Sequence, residues 1–238
     1  MHLINDAAVQ IGDVHYSRGP STSDTTTAKV VALVLLLWFL AVATVGHAGL
    51  LVGSPFSVIG GFVTGTTVLL CVLGLTIPAL RAWLSGLPLR LLVMMHVLRI
   101  IGVAFLVSNA APGGLPDAFA QRAGYGDIFA AITALVLAVG FLPAVSRFRR
   151  RLLLAWNVLG MVDLVVAVGT NFLIQLSGSA SMGPLVTAPL VYVPFYFVTL
   201  LLFVHLVIFY RLATGTLASE GAPIQAPPQT DSNQFHGP

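Results

Sequence analysis

Charge is what this sequence lacks most. Asp, Glu, Lys and Arg make up 8% of its 238 residues, against roughly 25% in a soluble domain. A surface facing water cannot be built from so few charges. Lysine is nearly missing, with Lys29 alone. The formal charge of +3 therefore rests on scattered arginines, and a nucleic-acid partner is not expected. Cys71 is the only cysteine. That excludes internal disulfides, CxxC redox motifs, cysteine-bound clusters and c-type haem attachment. A Walker loop, an HExxH motif and a GxGxxG opening a helix are also missing. With no sizeable polar part to carry catalysis, an enzyme is not the expectation.

What is present is hydrocarbon. Hydrophobic residues make up 57% of the chain and the mean hydropathy is +0.96. A helix needs about 20 apolar residues to cross a bilayer. Six stretches qualify, at about 28–48, 57–80, 88–109, 127–145, 152–175 and 186–210. The expected fold is all-α, with six transmembrane helices. Residues 1–27 read as a polar cytoplasmic segment, 28–211 as the membrane domain and 212–238 as a disordered cytoplasmic tail. The first stretch starts late behind Asp6, Asp13 and Asp24, so it reads as a retained helix and not as a signal peptide.

Basic residues set the orientation. Arg81 and Arg90 lie between the second and third stretches, and Arg147, Arg149, Arg150 and Arg151 between the fourth and fifth. The connections 49–56 and 176–185 carry no charge. Placing the arginines inside puts both termini in the cytoplasm. A faint repeat is also visible. Ile77-Pro78-Ala79 and Leu142-Pro143-Ala144 close the second and fourth stretches, and at matching offsets beyond them His96 aligns with Asn157 and Gly102 with Asp163. Stretches 2–3 and 4–5 are thus expected to form two related hairpins.

An ionisable group in mid-bilayer costs at least ~2.5–3.5 kcal/mol and marks the bundle interior. Arg99 and Asp163 each lie roughly 16 Å from the arginine-bearing face, by the helical rise of about 1.5 Å per residue. They are expected to pair, either as a clamp between helices or as a charge that meets a substrate. His96 shares a face with Arg99. His96, Asn157 and His205 fall in one layer nearer the arginine face. The two histidines read in three ways: satisfied core residues, a proton relay, or axial ligands of a b-type haem in an apolar slot. A metal site is not expected from two histidines.

The sixth stretch carries Pro189 and Pro194, which predict a kink. Gly60, Gly61, Gly65 and Gly74 in the second predict close helix approach. The connection 110–126 reads as an outer loop holding Asp117 and Arg122. Pro116 there starts a short helix, Gly124 and Gly126 make a turn, and Asp127 caps the fourth helix.

The run His96-Val97-Leu98-Arg99-Ile100-Ile101-Gly102, then Gly114-Leu115-Pro116, Phe119-Ala120 and Ala123-Gly124-Tyr125-Gly126-Asp127, resembles a group of uncharacterised bacterial multi-pass integral membrane proteins. Asn157, Gly160, Asp163-Leu164 and His205-Leu206 continue the pattern, which covers roughly residues 75–212. The resemblance implies a bacterial cytoplasmic (inner) membrane and singles out His96, Arg99, Asp127, Asn157, Asp163 and His205. It implies no activity. Three function classes stay open: a small-solute or proton-linked transport protein, a membrane redox component holding haem or quinone between the third and sixth helices, and a structural or accessory subunit. The expected partners are the lipid bilayer and another membrane protein or a second copy.

Overall fold

The computed structural model describes residues 22–55, 57–144 and 146–216. Most of the polar N-terminal segment and of the C-terminal tail lies outside the described residues. Among the described residues there is no strand, and six helical spans are long and apolar enough to cross a bilayer. The chain is a multi-pass membrane protein.

The first span is α1 (Thr22–His47) and the second α2 (Ser57–Thr76). Pro78 does not merely close the second apolar stretch. It opens a separate short helix, α3 (Pro78–Gly86), because proline needs no amide partner in a first turn. The third span joins α4 (Leu89–Met94), a 3-10 segment (Met95–Gly102) and α5 (Val103–Asn109). The fourth is α6 (Asp117–Gly140) and the fifth α7 (Arg147–Ser177). The sixth joins a π-helical turn (Val193–Val198) to α8 (Thr199–Thr214).

The spans alternate in direction. One end of the bundle gathers the arginines of the 81–90 and 147–151 segments, and the other gathers the loops near Gly53, Gly113 and Gly178. Ser146 accepts a hydrogen bond from the Arg149 amide at 3.2 Å and caps α7. At 31 residues α7 is about 46 Å long by its rise, well beyond a hydrocarbon core of about 30 Å. Its arginines belong to its first turns and not to a loop between spans. Several staple carbonyls at that end: Arg90 donates to Leu142 O at 3.0 Å, Arg150 to Leu212 O, and the buried Arg211 to Leu87 O.

Two expectations fail in informative ways. No described atom of a neighbouring element lies within 4 Å of where a Cβ on Gly60, Gly61 or Gly65 would stand, so these glycines are not helix-crossing points within this chain. The segment 117–126 is not an outer loop. It forms the first ten residues of α6, so Asp127 is a mid-helix residue and not a cap. Gly124 and Gly126 each cost an exposed helix about 1 kcal/mol against alanine. Here they let neighbouring spans approach. A Cβ on Gly124 would stand 3.0 Å from Gly102 O, and one on Gly102 would stand 2.9 Å from Gly124 O. Close packing outweighs weak propensity. Asp117 starts α6 and accepts from Asn109 Nδ2 at 2.6 Å, while Arg122 reaches Thr170 Oγ1 at 3.4 Å nearer the end opposite the arginine-rich one.

The expected proline kink takes the form of a wide turn. The backbone before Val193 is irregular around Pro189, and the first six residues of the sixth span are π-helical. Buried Thr199 donates its hydroxyl to Pro194 O at 3.3 Å, five residues back, which suits that wider winding.

Candidate functional site

The site starts from an unusual stretch of backbone. A 3-10 helix has three residues per turn, so side chains at i and i+3 stack in one column, and runs beyond three or four residues are uncommon. The segment Met95–Gly102 runs for eight. It places His96, Arg99 and Gly102 in one column on the inner face, and all three are buried.

Arg99 reaches the fourth and fifth spans together. Its Nε donates to Asp127 Oδ1 at 2.7 Å, and its Nη2 lies 2.6 Å from the same oxygen. Nη2 also pairs with Asp163 Oδ2 on α7. Nη1 donates to the backbone carbonyl of Gly160 at 3.1 Å. The expected Arg99–Asp163 contact is therefore one half of a two-carboxylate clamp, and Asp127 supplies the other half. Since arginine stays protonated, the three groups carry one negative charge in excess when both carboxylates are ionised.

The two carboxylates face different surroundings. The Asp127 side chain is 8% exposed, and that of Asp163 is 27% exposed. Asp163 opens on a cleft of about 80 Å³ between α6 and α7, lined also by Gly126, Ala130, Thr133 and Trp156.

One helical turn toward the arginine-rich end lies the histidine layer. The rings of His96 and His205 pack at a centroid distance of 4.0 Å, and His96 meets Trp156 edge-on at 5.2 Å. Asn157 fixes His205 from α7. Its Oδ1 lies 2.8 Å from His205 Nδ1, and its Nδ2 donates to His205 O at 3.1 Å. An amide oxygen only accepts, so the His205 proton is on Nδ1. His205 Nε2 and both ring nitrogens of His96 are buried without a hydrogen-bond partner. Gly160 makes this possible, because a Cβ there would stand 3.0 Å from His205 Nε2.

The haem reading finds no support in this geometry. Axial histidines stand on opposite faces of a porphyrin, with coordinating nitrogens about 4 Å apart and ring centres farther still. His96 and His205 instead lie directly against each other with their planes 37° apart, which leaves no slot between them. Among the described residues no group of three or more metal-ligating side chains occurs.

Polar residues continue from the clamp toward the end opposite the arginines. Asp127 and buried Asn171 are the two polar residues lining a cavity of about 30 Å³ whose other walls are apolar, among them Phe105, Leu164 and Val193. Asn171 Oδ1 accepts from Gln175 Nε2 at 2.8 Å. Gln175 in turn lines a wider vestibule of about 320 Å³ with Ser54 and Ser181. Toward the arginine-rich end the site is closed by a hydrocarbon cluster that includes Leu92, Leu137, Leu153 and Ile208.

Asp127 and Asn171 were the residues whose part in the site was hardest to foresee. Asp127 sits behind two glycines that imitate a turn, and Asn171 is an uncharged residue in the outer half of a long span. No curated protein and no solved structure is significantly similar to the chain. A family model described as "Domain of unknown function (DUF8737)" matches residues 56–213, from the second span through the sixth, and the chain belongs to that family.

Proposed function

We propose that the protein is a proton-linked transport or permeation protein of a bacterial cytoplasmic membrane, with both termini in the cytoplasm. The observation that carries this reading is the clamp: two carboxylates on one guanidinium, at mid-depth, with one negative charge in excess. In low dielectric such a surplus is satisfied by a proton or a small cation. A purely structural pair needs only one carboxylate.

The surroundings supply part of a route. Gln175 and Asn171 are hydrogen-bonded beside the vestibule, and a small, mostly apolar cavity separates Asn171 from Asp127. On the other side stand two stacked, buried histidines with ring nitrogens that have no partner among the described residues. With both termini in the cytoplasm the vestibule lies outside and the hydrocarbon closure inside, which on this reading makes the arrangement an outward-facing state. The weak repeat gains support from the same layer. His96 and Asn157, which occupy matching offsets, approach His205 from two different spans.

The test is proton flux into proteoliposomes loaded with a pH-sensitive dye. Protein-containing vesicles should dissipate an imposed gradient faster than empty ones. Asp127→Asn and Asp163→Asn should each abolish the difference while eluting as folded protein.

A second reading is a structural or accessory subunit, favoured by the fact that Arg99 alone ties three spans together. It requires both asparagine variants to be indistinguishable from the parent in flux.

A further inference from the structure

The first span is poorly packed against the rest. It leans on α3 near the arginine-rich end and on the π-helical turn near the other. There Phe39 stacks on Tyr192 at 5.0 Å, and Trp38 meets Tyr196 at 4.9 Å. Between these two supports α1 stands off α8. The gap is a cavity of about 340 Å³, bounded by Val31 and Val34 on α1, Trp83 and Leu84 on α3, and Phe203 and Val207 on α8. Apart from Thr27 and the indole edge of Trp83, the side chains lining it are hydrocarbon or thioether. Along α1 it runs from Thr27 to Leu35, roughly 12 Å by the helical rise. Protein interiors are packed to crystal-like density and do not keep a void of this size. The volume falls in the range of ligand pockets, about 300–1,000 Å³.

A second cavity, of about 220 Å³, lies on the other side of α3. Leu84, Phe203 and Val207 border both cavities and form the partition. The smaller cavity is mostly apolar, with Arg81, Ser85 and Tyr210 as polar members of its lining. Arg81 is exposed, and the one described hydrogen bond of its side chain is a long one to Leu75 O at 3.4 Å. These residues sit at the arginine-rich end of the bundle.

We infer that α3 is the seat of one anionic diacyl phospholipid, with a chain on each side of the Leu84–Phe203 partition and the phosphate on Arg81, Ser85 and Tyr210. Both halves of the site match the ligand: twin apolar slots for two chains, and a cation with two hydroxyls for one anion. The lipid completes the packing of α1, the one span outside the matched family region, against the other five.

Trp83 lines the larger slot and reports on it directly. The protein is reconstituted into phosphatidylcholine vesicles containing either dibrominated phosphatidylglycerol or dibrominated phosphatidylcholine at equal, low mole fraction. Tryptophan fluorescence is read for the parent and for Trp83→Phe, and the difference isolates Trp83. The brominated anionic lipid should quench that component about fivefold more effectively, the preference one basic residue confers near a membrane surface. Arg81→Gln should reduce the preference to none. Ser85→Ala with Tyr210→Phe, which keeps the arginine, should reduce it in part and serves if Arg81→Gln does not fold. Equal quenching by both lipids in the parent overturns the inference and leaves an ordinary fluid boundary. Quenching by neither also overturns it, and shows the slot filled by protein, either a second copy or a terminal segment of this chain.

Discussion

The carboxylate of Asp163 on α7 occupies the space that a Cβ on Gly126 of α6 would fill. The two helices thus meet where one gives up its side chain and the other brings a charge. Gly102 and Asp127 repeat the arrangement, with the Asp127 Cβ 2.5 Å from where a Cβ on Gly102 would stand. Gly160 repeats it once more against the His205 ring. Three polar side chains, two of them buried, each rest on a glycine of a neighbouring span.

Gly126→Ala is therefore expected to push Asp163 off Arg99. Overpacking costs about 1–3 kcal/mol, and the displaced charge adds to it. Thermal denaturation in detergent, followed by loss of the monodisperse peak, should show a lower midpoint than for Gly140→Ala, whose site is open. Equal midpoints would mean that Asp163 does not sit on Gly126.

The clamp predicts an asymmetric mutant cycle. Arg99→Leu strands two carboxylates, and removing one partner of a buried pair costs about 3–5 kcal/mol. Adding Asp163→Leu should restore only part of the folded yield, because Asp127 is still unpaired. Adding Asp127→Leu as well should restore most of it. Full recovery in the Arg99/Asp163 double variant would remove Asp127 from the cluster.

Asn157→Leu is expected to leave His205 Nδ1 and the His205 carbonyl without side-chain partners. Each unsatisfied buried group costs about 1–3 kcal/mol. The effect should appear as a lower melting midpoint and as faster proteolysis between α7 and α8. Asn157→Gln, which carries the same amide on a longer arm, should lose less.

Topology is checked by reporter fusions after Gly53, Arg149 and Gly178. Phosphatase activity is expected at Gly53 and Gly178 and cytoplasmic reporter activity at Arg149. A periplasmic signal at Arg149 would put four arginines on the side that positive residues avoid, and would invert the proposed direction of access.

The spans and the Arg99–Asp163 contact were legible because a charge amid twenty apolar residues is a loud signal. Depth counting placed His96, Asn157 and His205 in one layer without knowledge of their neighbours. Asp127 was hidden because the Gly124-Tyr125-Gly126 run before it has the composition of a turn. Only the opposing Gly102 and Asp163 explain why glycine is needed inside a helix there. Winding was equally hidden. Nothing in Met95–Gly102 dictates 3-10 over α geometry, since the choice is made by the contact of that segment with α6 and by what Arg99 must reach. Of the second-span glycines Gly74 does meet Leu84 and Phe203, whereas Gly60, Gly61 and Gly65 misled, because spacing shows a smooth surface but not whether anything is pressed against it.

The 3-10 segment has a mechanical meaning. Its eight residues extend roughly 16 Å at about 2.0 Å each, where α winding would give roughly 12 Å. Rewinding it would draw the ends of the third span together by roughly 4 Å and swing Arg99 by about 60° around the axis relative to His96, from the difference between 3.0 and 3.6 residues per turn. Arg99 could not make that swing while holding both carboxylates. The ion contacts thus act as a latch on a stretched spring: releasing them frees a stroke of a few ångströms at the bilayer centre, with no need for any span to slide as a rigid rod.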